Sequence, residues 1–429
     1  MQSKKYKIKI ISFFVLLATG YWLLAIPVNA SRVDELKQLI EERNSQMAQI
    51  QKEIDEYTTQ LDQAAEEKNT LNNEIKRLEI NLKKFNSDIY YTNKEVEATA
   101  YNIERLELEI NDKTESISDR KTVLSETMRN INELESQSLV EITLSHDKFS
   151  DFFGDLERME SFQKEINVNL EELKNLKEIL ENEKDEREAE KNNLEQLKSR
   201  LVDQKVLAES NKSTKNTLLQ ETKNKEANYK KLLADRLAKQ KALEEEIRDI
   251  EDQIRIEIDP KSLPPVGSGV LKWPLDQIKI TQYFGNTPFA TANPQVYNGM
   301  GHNGVDFRAS VGTPIKSSKE GIVTAVGDTD KQCRGVSYGR WVLIEHPNNL
   351  STLYAHLSLI KVSPGQQVDT GQVIGYSGDT GYTTGPHLHF GVFATQGVQI
   401  GQIQSKICGT MMRLPVASFN SYLNPLSYL

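Results

Sequence analysis

The stretch DPKSLPPVGSG, Asp259 to Gly269, sets three prolines and two glycines side by side and divides the chain into two unlike halves. Such a run cannot continue a helix or a central strand, so it reads as a linker. Before it, no proline occurs between Pro27 and Pro260, and Gly154 is the single glycine between Gly20 and Gly267. After it, glycine is frequent and short β-rich runs appear: IKITQYF, GIVTAVG, WVLIEH, TLYAHL and QVIGYSG. Turns such as Asp328-Thr329-Asp330 and Ser363-Pro364-Gly365 separate them, which is the pattern of an all-β domain of short strands.

The half without helix breakers carries a matching periodicity. Leu36, Ile40, Met47, Ile50, Ile54, Tyr57, Leu61 and Ala64 follow a four-three spacing. So do Leu71, Ile75, Leu78, Leu82, Phe85, Ile89 and Val96, then Ile103, Leu106, Ile110, Ile117, Leu124, Ile131 and Leu134. A repeat held this long implies a left-handed coiled coil. Arg43, Lys68, Lys113 and Arg120 interrupt the seam, where looser packing is expected. The pattern changes over SLVEITLSHDKFSDFFGDLERMESF, Ser138 to Phe162, where Val140, Ile142 and Leu144 alternate and Phe149, Phe152 and Phe153 crowd Gly154. Helical spacing resumes at Leu156 and runs to about Ile258. Two long helices follow from this, arranged either as a hairpin or as a parallel dimer. The aromatic cluster at the break reads equally as a docking patch or as local core.

Lys4, Lys5, Lys7 and Lys9 precede an apolar run from Ile10 to Ile26, and Val28-Asn29-Ala30 supplies small residues before Ser31. That is the layout of a signal peptide over 1–30, with an uncleaved anchor as the rival. Either places the remainder outside the cytoplasm. A net charge of −9, with no basic block after the N-terminus, argues against a nucleic-acid partner. The two cysteines, Cys333 and Cys408, invite a disulfide in an exported chain, with two unpaired thiols as the alternative. The expected organisation is a signal segment (1–30), a coiled coil with a break near 138–162 (31–258), a linker (259–269) and a β domain (270–429).

The chemistry concentrates in that β domain. His387 and His389 of TTGPHLHFG lie on one face of a strand, where two imidazoles can share a metal or divide binding and proton transfer. In GHNGVDF, His302 and Asp306 are too far apart in a flat strand to share an ion. An Asn303-Gly304 turn would fold them together as an N plus O pair suited to zinc. His356 of LYAHLS alone would read as a strand histidine bonded to a carbonyl. Together these five residues fall in one domain, while the preceding 260 positions hold only His146. There are more imidazoles than three ligands need and no cysteine among them, which is the composition of metal-assisted hydrolysis. Spacing does not say which of His387 and His389 binds the metal.

HNGVD, YAHL, VSPGQQVDTGQVIG and TGPHLHFG, in this order and spacing, resemble the lysostaphin/LytM-type zinc metallopeptidases, which cut peptide cross-links of bacterial peptidoglycan. The resemblance covers roughly Trp273 to Leu429. It implies a barrel-sandwich-hybrid-like β domain, Zn2+ held by His302, Asp306 and His389, and His356 and His387 as catalytic imidazoles. The fold class expected is therefore multidomain, a long α-helical coiled coil followed by an all-β LytM-type domain. The segment NTPFATANPQVYNGM before His302 and the insertion bearing Cys333 depart from the family pattern and bear on the shape of the cleft. EITLSHDKFSDFFGDLERM is similar to the helical break of EnvC- and PcsB-like cell-wall proteins, which implies an FtsE–FtsX-like membrane complex as partner and a role in division or remodelling. All five site positions are filled, which favours an exported, regulated peptidoglycan endopeptidase over a non-enzymatic activator of a separate amidase. A carrier-domain reading of VSPGQQVDTGQVIG is set aside, because the turn tip offers no modifiable lysine. The long helices next to such a domain suggest that part of them covers the cleft until a partner moves it.

Overall fold

The computed structural model describes residues 28–66, 70–135, 149–252, 258–267, 269–292 and 301–429. The expected signal segment up to Pro27, and residues 136–148 of the expected helical break, lie outside them. Among the described residues the N-terminal half forms α1 (Val28–Glu66), α2 (Leu71–Glu135), α3 (Phe149–Thr222) and α4 (Glu226–Glu251). The described part of the aromatic cluster, from Phe149 on, is helical. None of these helices is long and apolar enough to cross a membrane.

The chain divides into two compact units, Met1–Glu42 with Thr99–Lys191, and Arg43–Ala98 with Asn192–Leu429. In the first, ion pairs join Arg32 to Glu104, Lys191 to Glu107, Lys113 to Glu183 and Arg120 to Glu172. Partner numbers fall on one helix as they rise on the other, so neighbouring helices run antiparallel. Ile110, Ile117 and Leu180 are buried between them. In the second unit Arg43 pairs with Glu97, Arg200 with Glu95 and Lys215 with Glu79, in the same antiparallel sense. Arg43, Lys113 and Arg120, which interrupt the apolar seam, thus each reach a glutamate on the adjacent helix.

The two uninterrupted helices expected from the periodicity are cut twice more. Thr70 caps α2 by accepting the Asn73 N–H at 3.2 Å, and Glu226 accepts the Leu71 N–H at 2.8 Å. Lys223 and Asn224 both take positive φ, 50° and 54°, which ends α3 and redirects the chain into α4. A four-three repeat records the apolar face and is blind to such turns.

The C-terminal half is an antiparallel β domain. Its strands are β1 (Ile280–Gln282), β2 (Val305–Arg308), β3 (Pro314–Lys316), β4 (Gly321–Asp328), β5 (Arg340–Glu345), β6 (Leu350–Ile360), β7 (Gln367–Val368), β8 (Val373–Ser377), β9 (His387–Ala394), β10 (Val398–Gln404), β11 (Met411–Ala417) and β12 (Tyr422–Leu423). The main sheet has ten strands in the order β1-β2-β9-β6-β5-β4-β7, with β12 on β9, and β8 joining β3 to β6. Each of the five β-rich runs overlaps one of these strands. Alternate residues such as Val305, Phe307, Leu388, Phe390 and Val392 enter one continuous core. β10 and β11 form a separate hairpin.

Cys333 and Cys408 are joined in a disulfide, which removes the unpaired-thiol alternative. It ties the loop after β4 to the β10–β11 hairpin. On that clamped surface α4 docks: Leu243 and Ile247 are buried against Val336, Ile403, Met412, Leu414 and Val416.

Candidate metal and catalytic site

Strand β9 lies between β2 and β6, and this order assembles the site. Asp306 on β2 is directly opposite His389, which on its other side is paired with Ala355 of β6. His356 follows at a register irregularity of β6 and has φ of 59°, a left-handed conformation that a non-glycine residue adopts at a cost. His302 precedes β2, bridged backbone to backbone with Gly285, and the turn at Asn303-Gly304 brings it back to Asp306. All five candidate residues of the sequence therefore meet in one place.

Three donor atoms converge. His302 Nε2 lies 3.1 Å from His389 Nδ1 and 3.2 Å from Asp306 Oδ1, and His389 Nδ1 lies 2.9 Å from that oxygen. Ligands about 2.0–2.1 Å from a tetrahedral zinc ion are about 3.3 Å apart, so this triangle fits such an ion with little movement. His302 Nδ1–H donates to the Tyr283 carbonyl at 2.9 Å, which directs Nε2 into the triangle. His389 Nε2 is buried without a hydrogen-bond partner. His302, Asp306 and His389 are also the group that could hold a metal ion among the described residues. Burial alone would raise the Asp306 carboxyl, yet His387, His302 and the hydrogen bonds from His302 and His389 hold it well below the usual range. It is an anion ready for a cation.

Gly304 is part of this construction. A Cβ there would lie 2.6 Å from the Phe390 carbonyl oxygen and 2.8 Å from His389 Nε2. Gly304→Ala is expected to displace His389 and weaken zinc binding by about 10–100-fold, read by competition with a chelating dye.

The other two histidines face the triangle without joining it. His387 Nδ1–H donates to the Gly385 carbonyl at 2.8 Å, which leaves Nε2 as the free ring nitrogen, 3.8 Å from Asp306 Oδ2. His356 Nδ1–H donates to the Thr380 carbonyl at 2.8 Å, and its ring is 4.6 Å from that of His387. Burial, then the neighbouring His387 and His389, push His356 well below the ordinary histidine range, so it stays neutral and can accept a proton. Burial also lowers His389, against its bond to Asp306. His346, the remaining histidine of the domain, is bonded to the Glu320 carbonyl and the Thr352 hydroxyl and belongs to the core.

Some residues at this site were not anticipated. A cavity of about 90 Å³ over the histidines is also lined by Tyr338, Ser337 and Tyr382, and by Gln240 and Glu244 of α4. Gln240 Oε1 accepts the Ser337 N–H at 2.6 Å, and its amide nitrogen donates to Glu244 at 2.6 Å. Tyr338 accepts from Asn303 Nδ2 at 3.1 Å, with its ring 5.8 Å from that of His389. Ser337 and Tyr338 follow the Cys333 insertion, whose departure from the family pattern was the available signal. α4 gave none, because Leu243 and Ile247 look like ordinary seam positions. Helix α4 covers the cleft.

Burial, then the neighbouring Glu251, pushes Glu244 up to about 8. With its docked value raised above the ordinary 4.5, docking is most favourable at low pH and weakens as pH rises through about 8. Protection factors for amide exchange along Glu226–Glu251, corrected for intrinsic rates, are therefore expected to fall between pH 5 and 8. Glu244→Gln should flatten that dependence.

Residues 300–402, which hold all five site residues, match the model of Peptidase family M23. The DD-carboxypeptidase/endopeptidase Mpg of Neisseria meningitidis is 39% identical over 117 residues, 27% of this chain and 25% of that protein. The peptidoglycan DD-endopeptidase ShyA of Vibrio cholerae is 47% identical over 90 residues, 21% of this chain and 19% of that protein. The chain thus spans about a quarter or less of the length of these relatives. The catalytic domain of lysostaphin from Staphylococcus simulans is 31% identical, covering 32% of this chain and 88% of that one, with a TM-score of 0.23.

Proposed function

We propose, from the premise that this chain carries a domain of peptidase family M23, that it is an exported zinc-dependent endopeptidase which hydrolyses peptide cross-links of bacterial peptidoglycan and is held in check by its own helices. The observation that carries this reading is the triangle of His302, Asp306 and His389 beside two further imidazoles with free Nε2 atoms. In this reading the triangle holds the metal, and His356 and His387 are catalytic. Zinc bound there supplies Lewis acidity to a scissile carbonyl and to attacking water.

The chain's own residues do the rest. Neutral His356 is placed to take a proton from the attacking water at Nε2, because its Nδ1 proton is fixed on Thr380. His387 is held by Gly385 with Nε2 toward the same space, where it steadies charge developing on the carbonyl oxygen and delivers a proton to the departing amine. Tyr338 and Asn303 wall the cleft and narrow access of bulk water. Helix α4, tethered through Gln240 and packed by Leu243, would in this reading stand in the way of a substrate, since Gln240 and Glu244 line the cavity over the histidines. Restraint by the coiled coil follows, and an FtsE–FtsX-like membrane complex acting on the helices in division or remodelling is the partner supported by the resemblance of the break segment.

The test is zinc content together with muropeptide release from purified sacculi by the full chain, with and without α4 loosened. One zinc per chain and new peptide ends support the endopeptidase. Zinc without cleavage on several wall types turns the reading to an activator of a separate amidase.

A further inference from the structure

Beside the histidines, between α2, α3 and α4 and the β domain, lies a second cavity of about 410 Å³. Its β-domain wall includes residues of the 379–386 segment together with Asp328, Asp330, Arg334 and Arg340. Gly378 is bridged to His387, and the Thr380 carbonyl holds His356, so Asp379 stands between the two residues that position the catalytic imidazoles. Asp379 Oδ1 accepts a hydrogen bond from the Thr383 hydroxyl. Its other oxygen faces Arg77 of α2, with Nη2 at 3.7 Å, and the Arg77 guanidinium also lies over Gly385.

The neighbouring carboxylates of this wall are already committed. Asp328 is paired with Arg340 at 3.1 Å, and Asp330 accepts the amides of Gly335 and Gly381. Among the described residues, Arg77 is the cation that Asp379 pairs with. The helix fills this place imperfectly: Asn81 of α2, 3% exposed in the same cavity, leaves its Oδ1 without a partner. Arg77 is held on its own helix by Glu74 at 2.8 Å and reaches Asp379 only at 3.7 Å, so the Arg77–Asp379 pair can part without leaving the arginine unpaired.

We propose that Asp379 is a substrate-recognition residue which binds a free side-chain ammonium within one residue of the scissile amide, and that Arg77 stands in for that ammonium while the helices cover the cleft. The proposal rests on the endopeptidase reading and names the substrate feature it selects. Placement supports it, since Thr383 and Thr384 line both this cavity and the one over the histidines, and Asp379 lies in sequence between Gly378 and Thr380, which hold His387 and His356. As the helices move away Asp379 loses Arg77 as its partner and can accept an ammonium in its place. Peptidoglycan stems offer one where a diamino acid keeps its side-chain amine free.

The experiment uses the zinc-loaded full chain and two substrates, a cross-linked muropeptide dimer with its free amine and the same dimer N-acetylated. The expected kcat/KM ratio favours the free amine by about tenfold. In Asp379→Asn that ratio falls to near one, and in Asp379→Glu a preference for the amine persists. Taking the ratio within one preparation cancels any loss of folded protein. Arg77→Ala raises kcat/KM for the free-amine dimer more than for the acetylated one, because it removes the competing cation. Equal cleavage of both dimers by the unaltered chain overturns the subsite and leaves the endopeptidase standing. A ratio unchanged in Asp379→Asn overturns it equally. Cleavage of neither dimer, even in Arg77→Ala, overturns the endopeptidase reading and the subsite with it.

Discussion

The 429-residue chain carrying Leu243→Asp is expected to release muropeptides at least tenfold faster than the unaltered chain. Leu243 is fully buried between α4 and the disulfide-clamped surface, packed with Val336, Met412 and Leu414. Aspartate there loses the apolar contact and leaves an unpaired charge out of water, a combined cost of about 3–5 kcal/mol to the docked state. A docking equilibrium biased by that much shifts its open population more than a hundredfold, if the open state was rare. The observed gain is then capped by chemistry or substrate access. Zinc content should stay at one per chain, because Leu243 touches none of the three ligands. Equal rates for the two proteins would mean that α4 does not limit the reaction.

The second large effect is the separation of metal binding from turnover. His387→Ala in the loosened chain keeps its zinc and loses cleavage by about 10²–10⁴-fold, the usual contribution of a placed acid or base. His387 Nε2 is 3.8 Å from Asp306 and outside the triangle of donors, which is why the metal stays. His302→Ala loses the zinc as well, since it removes one corner of that triangle. Metal analysis and single-turnover kinetics on the two variants distinguish the outcomes. Equal zinc loss in both would return His387 to the ligand set.

Much of this is legible in the amino-acid sequence itself. The absence of proline from Pro27 to Pro260 and the four-three spacing gave the helices, and the five β-rich runs gave strands. The five site residues were visible as a group because histidine is so sparse elsewhere. Periodicity could not show where a helix turns, since Thr70 and the Lys223-Asn224 pair act through capping and φ rather than through apolar spacing. Nor could it show what covers an apolar face. Leu243 and Ile247 carry the seam pattern but meet the β domain, and the polar residues beside them, Gln240 and Glu244, read as solvated until their partners are known. Asp379 reads as a turn residue until Arg77 is seen against it.

The left-handed backbone at His356 sets stability against purpose. Glycine adopts that conformation freely, so His356→Gly should relieve strain of about 1–2 kcal/mol, set against the lost ring packing, the lost bond to Thr380 and the chain entropy of glycine. Breeding this chain for heat tolerance alone would therefore put pressure on the residue to which the proposed hydrolysis assigns proton transfer. A library screened by survival of the fold weighs that strain against packing alone, and only a screen that counts turnovers would test what the histidine at 356 is for.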